Sequence, residues 1–148
     1  MPDLEALIRK LEAATEGSYD LTADLYEAYG CDVIRTARAT RRGRGYAWRY
    51  RGTNPHNRLA VRWEVMEPFT ESIDAAATLI DSGYFNLRGE YNKTAHKGWI
   101  AETNGPAAKG GVRYLNVSAE GATPALALCI ASLKARAALA NRLRARKS

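Results

Sequence analysis

The sequence predicts one α+β domain, because helical and strand periodicities occupy different parts of the 148-residue chain. Near both ends, apolar residues recur every three or four positions, as they do along amphipathic helices. Between these segments the period changes to two, which is typical of half-buried antiparallel strands. A chain of this length is expected to bury one hydrophobic core that needs no disulfide or structural metal.

The first 30 residues predict an acidic helical hairpin. Four apolar residues share the i, i+3, i+4, i+7 spacing of one helix face: Leu4, Leu7, Ile8 and Leu11. A break at residues 16–18 separates this helix from a second one. The second helix is expected to end at Gly30, because glycine readily adopts the left-handed conformation that terminates helices.

Residues 45–65 predict an additional β-hairpin with one aromatic face and one arginine face, after a polar connection over residues 31–44. Tyr46, Trp48 and Tyr50 alternate with Ala47, Arg49 and Arg51 in the first strand. In the second strand the apolar positions are Leu59, Val61, Trp63 and Val65. The segment between the strands contains glycine, asparagine and proline, the residues that favour turns.

Residues 69–140 predict the order helix, strand, strand, strand, helix. The first of these helices is expected to begin at a cap formed by Thr70 or Ser72, and the last begins with the start signal Thr123-Pro124. The three predicted strands are Tyr84–Tyr91, Trp99–Thr103 and Val112–Val117. Residues 141–148 form a basic tail that is expected to fray.

Two of the predicted helices carry a family resemblance. Their sequences are FTESIDAAATLI (69–80) and ATPALALCIASLKARAAL (122–139), both rich in small residues and both with a clear start signal. In this order they resemble the phage ABA-sandwich domain family, which consists of small proteins of bacteriophages and prophages. The resemblance is strongest over residues 69–139. It implies an antiparallel sheet sandwiched by helical layers and implies no catalytic residues, and the hairpin at 45–65 is longer than is usual for this family.

The same order of helix, three strands and helix also looks like a double-stranded RNA-binding domain. In such domains a lysine cluster at the start of the second helix contacts phosphates across the groove. Here the corresponding helix begins after Gly121 and has no lysine before Lys134. The phosphate clamp of that domain is therefore missing, and the likeness concerns only the order of elements.

The charges are arranged in blocks, although the net charge is only +6. Residues 1–32 hold eight acidic and two basic residues, whereas residues 33–63 hold nine arginines and no acidic residue. Residues 121–148 hold six basic residues and again no acidic one. This asymmetry predicts either an anionic partner for the basic blocks or contact between the acidic and basic blocks.

The hairpin arginines and rings are the first candidates for ligand binding, because guanidinium groups bind phosphate in pairs of hydrogen bonds and aromatic rings stack on bases. The alternative is that the hairpin rings are core and its arginines are merely solvated. A second candidate is the polar face of the C-terminal sheet, where we expect seven side chains to project together: Tyr84, Asn86, Arg88, Trp99, Thr103, Tyr114 and Asn116. If a helix layer covers this face, as an ABA sandwich favours, its aromatic residues are core and Arg88 is an edge residue. If a partner or a second copy covers it, these residues line an interface pocket. The predicted ligand-binding residues are Arg44, Tyr46, Trp48, Arg49, Arg51, Arg88 and Trp99.

Among these residues the hairpin arginines are expected to dominate anion binding. Arg44, Arg49 and Arg51 have no acidic residue near them in the sequence, whereas Glu90 lies two residues from Arg88. An arginine beside a carboxylate is partly satisfied and binds phosphate less readily. The sequence therefore predicts that the hairpin, not the C-terminal sheet, carries the site.

The sequence predicts a binding protein and not an enzyme. His56 and His96 have no ligand partners at metal-site spacing, and no nucleophile elbow or phosphate loop is present, so no catalytic residue, metal or cofactor is predicted. The leading hypothesis is a phage or prophage accessory protein that binds an anionic nucleotide-like ligand and sequesters a host defence signal. The alternatives are a nucleic-acid-binding accessory protein and a structural or interaction module that docks on an acidic partner.

Three further expectations concern assembly and location. The surplus of apolar strand faces predicts a homo-oligomer. No apolar run approaches the roughly 18 residues that span a bilayer, and the N-terminus lacks the features of a signal peptide, so we expect a protein of the bacterial cytoplasm. Cys31 and Cys129 are expected to be free, buried thiols.

Overall fold

The computed structural model describes residues 3–35, 48–55, 59–80, 85–91, 96–103 and 117–147, and these form four helices and two three-stranded antiparallel sheets. The helices are α1 (Leu4–Ala13), α2 (Tyr19–Ala28), α3 (Ile73–Ala77) and α4 (Pro124–Lys147). The strands are β1 (Asp32–Ile34), β2 (Arg49–Thr53), β3 (Ala60–Val65), β4 (Phe85–Tyr91), β5 (His96–Thr103) and β6 (Ser118–Gly121). The predicted α+β class with antiparallel sheets and helical layers is confirmed, and the arrangement is consistent with a sandwich-like fold.

The predicted N-terminal helical hairpin is present as α1 and α2. The carboxylate of Asp3 caps α1 by accepting hydrogen bonds from the backbone N–H groups of Glu5 and Ala6. The Ser18 hydroxyl caps α2 in the same way. Gly30 follows α2 with φ of 91°, the left-handed conformation expected at this position.

The first sheet has the order β1-β2-β3 and includes a strand that the sequence analysis missed. β1 pairs with β2, which brings Val33 opposite Tyr50. A strand of three residues is too short for its alternation to be recognised in the sequence. On the helix side of this sheet Tyr50 is 1% exposed, and its ring centroid lies 4.2 Å from that of Tyr26 in α2. Tyr50 is therefore core, as the alternative interpretation of the hairpin rings proposed.

A β-bulge changes the direction of two predicted core residues. The register of β2 and β3 shifts between Tyr50 and Arg51, so that Trp63 is the extra residue on β3, and its φ is 56°. The predicted alternation placed Trp63 on the apolar side with Val61. Val61 does pack against the core, but the Trp63 ring lies beside the guanidinium of Arg51. The expectations for Trp63 and for Val65, which is 49% exposed, are thus wrong, because a bulge interrupts the period of two.

The second sheet has the order β4-β5-β6 and packs against α4 through small residues. Ala101 and Ala119 are opposite each other and buried. At Gly121 a Cβ atom would lie 2.6 Å from the backbone nitrogen of Ala127 in α4. Small side chains on this face therefore allow the helix and the sheet to approach closely.

Helix α4 is the centre of the core. It contacts α1, α3, β5 and β6, and every residue from 125 to 133 is buried. Its start is as predicted, since the Thr123 hydroxyl accepts a hydrogen bond from the backbone N–H of Leu126. The buried thiol of Cys129 donates to the carbonyl of Phe69, and both Cys129 and Cys31 are free and buried, as expected.

Several element boundaries differ from the prediction, and β5 begins at His96 instead of the expected Trp99. Helix α3 covers only Ile73–Ala77 of the expected 69–80, although Ser72 caps it as predicted. The third strand of the second sheet was expected at 112–117, of which residues 112–116 lie outside the described residues, and the strand in the structure is Ser118–Gly121. The backbone of α4 stays helical through Lys147, where a fraying tail was expected. None of the helices formed by the described residues is long and apolar enough to cross a membrane.

Candidate functional site on the first sheet

The first sheet turns one surface away from α2, and we call this surface the outer face. The pairing places Arg51 between Asp32 and Arg62, and Arg49 between Ile34 and Val65. Residues directly opposite each other on paired strands project to the same side of the sheet. Among the described residues, the outer face therefore consists of eight exposed residues together with Trp63 at the bulge: Asp32, Ile34, Arg49, Arg51, Thr53, Ala60, Arg62 and Val65.

Arg51 is held on the outer face by two different groups. Its Nε and Nη2 atoms donate hydrogen bonds to Oδ2 of Asp32 at 3.3 and 2.8 Å. Its Cζ atom lies 5.0 Å from the centroid of the Trp63 ring, within the range of a cation–π interaction. The side chain is nevertheless 54% exposed, so that its guanidinium group remains accessible to a ligand.

Arg49 and Arg62 stand on either side of this pair. Arg49 Nη1 donates to the backbone carbonyl of Trp63 at 3.2 Å, which ties Arg49 to the bulge. Arg62 is exposed and directly opposite Arg51, and it forms no ion pair within the described part of the chain. The outer face thus joins three guanidinium groups and one indole ring around a single carboxylate, that of Asp32.

The expectation that the hairpin arginines have no acidic neighbour is wrong for Arg51. Asp32 belongs to the acidic N-terminal block, and the pairing of β1 with β2 places it opposite Arg51. Arg35 is also bound by that block, because its guanidinium contacts the carboxylates of Asp20, Asp24 and Glu27 on α2 at 3.3, 2.7 and 2.5 Å. Contact between the acidic and basic blocks therefore occurs at Arg35 and Arg51.

The ion pairs of Arg35 shift the pKa values of the groups involved. Burial by itself lowers the pKa of Arg35, but hydrogen bonds to Glu27 and Asp24 raise it overall. Burial by itself raises the pKa of Asp24, whereas hydrogen bonds from Lys10 and Arg35 lower it overall. Since both shifts favour the charged forms, Arg35 is committed to α2 and is a poor candidate for ligand binding.

Of the predicted hairpin residues, Trp48 lies away from the outer face. It precedes Arg49 and packs against the core on the opposite side of the sheet, with its ring 5.9 Å from that of Tyr19. The guanidinium of Arg35 covers it at 5.6 Å. Arg44 and Tyr46 lie outside the described residues.

The second sheet does not bring its two predicted site residues together. Arg88 is paired with Ile100, whereas Trp99 is paired with Gly89, so the two side chains project to opposite faces. Trp99 packs against the core, and Arg88 binds Glu102 at 2.7 Å. The expectation of one shared polar face is wrong. It placed the even-numbered residues of β4 on the same face as Trp99 and Thr103 of β5, whereas the observed register pairs them with even-numbered residues of β5. An error of one residue in register moves every side chain of a strand to the other face.

Other members of that predicted face are divided in the same way. Asn86 accompanies Arg88 on the exposed face, whereas Thr103 is 5% exposed on the core side. Tyr84, Tyr114 and Asn116 lie outside the described residues. The acidic neighbour of Arg88 in the structure is Glu102 on the adjacent strand, and no side-chain position is described for Glu90.

Sequence reasoning missed three residues of the outer face. Arg62 was recognised as an arginine of the basic block and its strand alternation could have identified it. Asp32 could not be placed without β1, and Trp63 could not be placed without the bulge. Within the described residues, no three His, Cys, Asp or Glu side chains come together in a way that could hold a metal ion.

No protein-family model, curated protein or solved structure matches this chain. The resemblance of residues 69–139 to the phage ABA-sandwich family stays a prediction. What the protein does is therefore inferred from the chemistry of the outer face.

Proposed function

We propose that the protein binds an anionic, nucleotide-containing ligand on the outer face and does not convert it chemically. The supporting observation is that Arg49, Arg51, Arg62 and the ring of Trp63 share one exposed surface. Guanidinium groups recognise phosphate through charge-assisted hydrogen bonds, and tryptophan provides a stacking surface for bases. A nucleotide combines both of these chemical features.

Arg49 and Arg62 are the residues best suited to phosphate. A guanidinium group has five N–H donors, and within the described residues Arg49 uses one of them, in its bond to the Trp63 carbonyl. Arg62 is exposed and directly opposite Arg51. Charge-assisted hydrogen bonds contribute roughly 1.5–3 kcal/mol each, so two such residues suffice for measurable affinity.

The outer face offers little for acid–base or nucleophilic catalysis. Its carboxylate, Asp32, is engaged by Arg51, and its remaining described residues are arginines, Trp63, aliphatic side chains and Thr53. A binding role without turnover is therefore favoured.

A groove next to Asp32 is a weaker candidate for the same ligand. It has a volume of about 530 Å³ and is lined by Glu27, Gly30, Cys31, Asp32 and Val33. The described residues that line it include two carboxylates and no basic side chain, so it offers no described cation to phosphate. The arginines of the outer face are the more suitable surface.

The phage setting adds a biological role to this proposal. If the chain is a phage or prophage accessory protein, as the resemblance of residues 69–139 implies, the bound nucleotide is a host defence signal that the protein sequesters in the bacterial cytoplasm. We also expect a homo-oligomer, because apolar side chains that are not part of the outer face, those of Tyr19, Leu59 and Ile73, are 48%, 64% and 46% exposed. Light scattering in solution should then give a multiple of the 16.3 kDa chain mass.

A thermal-shift screen tests the proposed ligand class. Mono-, di- and cyclic nucleotides and short oligonucleotides are added to the protein, and a ligand that binds the native state raises the midpoint of unfolding. The double variant Arg49→Ala/Arg51→Ala should bind the best ligand at least about tenfold more weakly. Arg88→Ala, on the second sheet, is the matched control and should bind like the parent. A screen in which no nucleotide or oligonucleotide binds, or an effect confined to Arg88→Ala, contradicts the proposal.

A further inference from the structure

We infer that Arg51 stacks on an unpaired base, that Asp32 positions Arg51 for this contact, and that the ligand of the outer face is single-stranded nucleic acid. This inference rests on the proposed function and adds to it the class of ligand and a division of roles among the arginines. The geometry around the Arg51 guanidinium carries it.

The two neighbours of Arg51 approach its planar guanidinium from different directions. Hydrogen-bond donors lie in the plane of the group, so Asp32, which accepts from Nε and Nη2, is at its edge. The Cζ atom of Arg51 lies over the Trp63 ring, 5.0 Å from its centroid, so the indole restrains the guanidinium on a second side. The carboxylate and the ring together restrict where the guanidinium can lie. Because the side chain is 54% exposed, its flat cationic group can be reached by a base.

The same contacts make Arg51 less suitable as a phosphate ligand. Nε and one Nη form the edge with which arginine usually grips two oxygens of a phosphate, and here that edge is occupied by Asp32. Arg49 and Arg62 have no carboxylate partner among the described residues. Arg49 and Arg62 are therefore expected to bind the phosphates, and Arg51 is expected to contact the base.

Asp32 is difficult to explain on an anion-binding surface unless it has a positioning role. If its charge were all that mattered, it would repel the ligand, and its removal would strengthen binding. If it orients Arg51, its removal weakens binding to any ligand that stacks. The two explanations thus predict opposite changes in binding affinity when Asp32 is removed.

A stacking platform on an open strand surface selects for unpaired bases. In a duplex each base is covered by its neighbours, whereas in a single strand the base faces can reach a protein surface. Several nucleotides can lie along exposed strands in a way that a single nucleotide cannot exploit. We therefore expect a single strand to bind more tightly than a duplex or a mononucleotide.

The test compares binding of three labelled probes by fluorescence anisotropy: an unstructured pyrimidine single strand, the same strand with abasic sites in place of its bases, and the corresponding duplex. The parent should prefer the intact single strand to both other probes. Arg51→Lys keeps the charge but loses the plane, and it should weaken binding to the intact strand about tenfold while leaving the abasic strand nearly unchanged. Arg62→Lys is the matched control on the same face and should affect both strands alike.

The direction in which Asp32→Ala changes the binding affinity decides between the two explanations of Asp32. It should weaken binding to the intact strand severalfold and leave binding to the abasic strand unchanged or stronger. Glu120→Ala, which removes an exposed carboxylate from the second sheet, controls for net charge and should not weaken either interaction. Asp32→Glu should recover part of the lost affinity, since a carboxylate is restored. All of these side chains are exposed, and thermal unfolding of each variant verifies that the fold is retained.

The outcomes separate this inference from the proposed function. If the parent binds both strands equally, or if Asp32→Ala strengthens binding to the intact strand, Arg51 is not a base platform, although the outer face still binds phosphate. Preference for the duplex or for a mononucleotide overturns the ligand class. If the parent binds none of the probes and no free nucleotide, the proposed function fails as well.

Discussion

The two sheets have the same number of strands and the same antiparallel pairing, but they pack on helices in different ways. The first sheet uses a large ring, since Tyr50 fits against Tyr26 of α2 with centroids 4.2 Å apart. The second sheet uses Ala101, Ala119 and Gly121, which let α4 come close to its backbone. The first sheet is thus stabilised by a large buried ring, and the second by small residues that allow α4 to pack close to its backbone.

Their exposed faces differ in how their charges are satisfied. On the second sheet Arg88 is paired with Glu102, and Glu120 is exposed on the same face. On the outer face of the first sheet the described residues include three arginines and one carboxylate, and that carboxylate, Asp32, is paired with Arg51. Among the described residues, the first sheet therefore has a surplus of positive charge on its exposed face, whereas the arginine of the second sheet has its own carboxylate.

The largest effect on stability is expected in the core of the first sheet. Tyr50→Ala removes a ring that is 1% exposed and should lower the free energy of unfolding by about 3–5 kcal/mol, the range for large aromatic truncations. Tyr50→Phe keeps the ring and should lose only about 1 kcal/mol. Urea denaturation measures both. A loss below that of Tyr50→Phe for the alanine variant would show that the ring is not core.

In the second sheet, stability should fall when a side-chain atom is added instead of removed. Gly121→Ala places a Cβ about where the backbone of Ala127 already lies, 2.6 Å from its nitrogen, and overpacking of this kind typically lowers stability by about 1–3 kcal/mol. Ser118→Ala, an exposed position on the same strand, should change stability by less than about 0.5 kcal/mol. Equal unfolding midpoints for the two variants would contradict close packing of α4 on this sheet.

The difference between the exposed faces predicts how salt affects binding. Arg62→Ala on the first sheet should lower affinity for a single strand. It should also make the slope of log affinity against log salt concentration shallower, by about the contribution of one phosphate contact. Arg88→Ala on the second sheet should leave affinity and slope unchanged, because its guanidinium is bound to Glu102. The slopes come from titrations of each variant over a series of salt concentrations. Identical losses for both variants would remove the distinction between the faces.

The smallest expected effect concerns the ion pairs that hold Arg35 to α2. Because the folded pKa of Asp24 is below its ordinary value of 3.8, its ionised form stabilises the folded state. That contribution is present above the ordinary pKa and is lost as the pH falls through the lower folded value. Asp24→Asn should therefore be less stable than the parent at neutral pH and should lose less stability in acid.

A double-mutant cycle checks that this pH dependence comes from the ion pair. Arg35→Gln should flatten the acid limb of the stability curve in the same direction as Asp24→Asn. The double variant should be destabilised by less than the sum of the single changes, since the residues are in contact at 2.7 Å. Additive effects would mean that the pH dependence comes mainly from the ion pair of Asp24 with Lys10, at 2.6 Å, and not from the pair with Arg35.

The sequence by itself determined the elements whose signals are local. Helix starts at Asp3, Ser18 and Thr123 depend on a side chain and a backbone N–H two or three residues away. The hairpin of β2 and β3 depends on alternation and a short turn. The α+β class follows from these elements, as does the exposure of Arg49 and Arg51, because a period of two separates them from buried Tyr50.

Only the tertiary structure decided which residues share the outer face. The β1–β2 pairing brings Asp32 to Arg51 across 19 positions in the chain, and nothing near either residue in the sequence indicates it. The bulge moves Trp63 from the expected core side to Arg51, and the register of β4 and β5 separates Arg88 from Trp99. Strand pairing, bulges and register arise from contacts between distant segments, and a shift of one residue reverses a face, so periodicity alone cannot establish them.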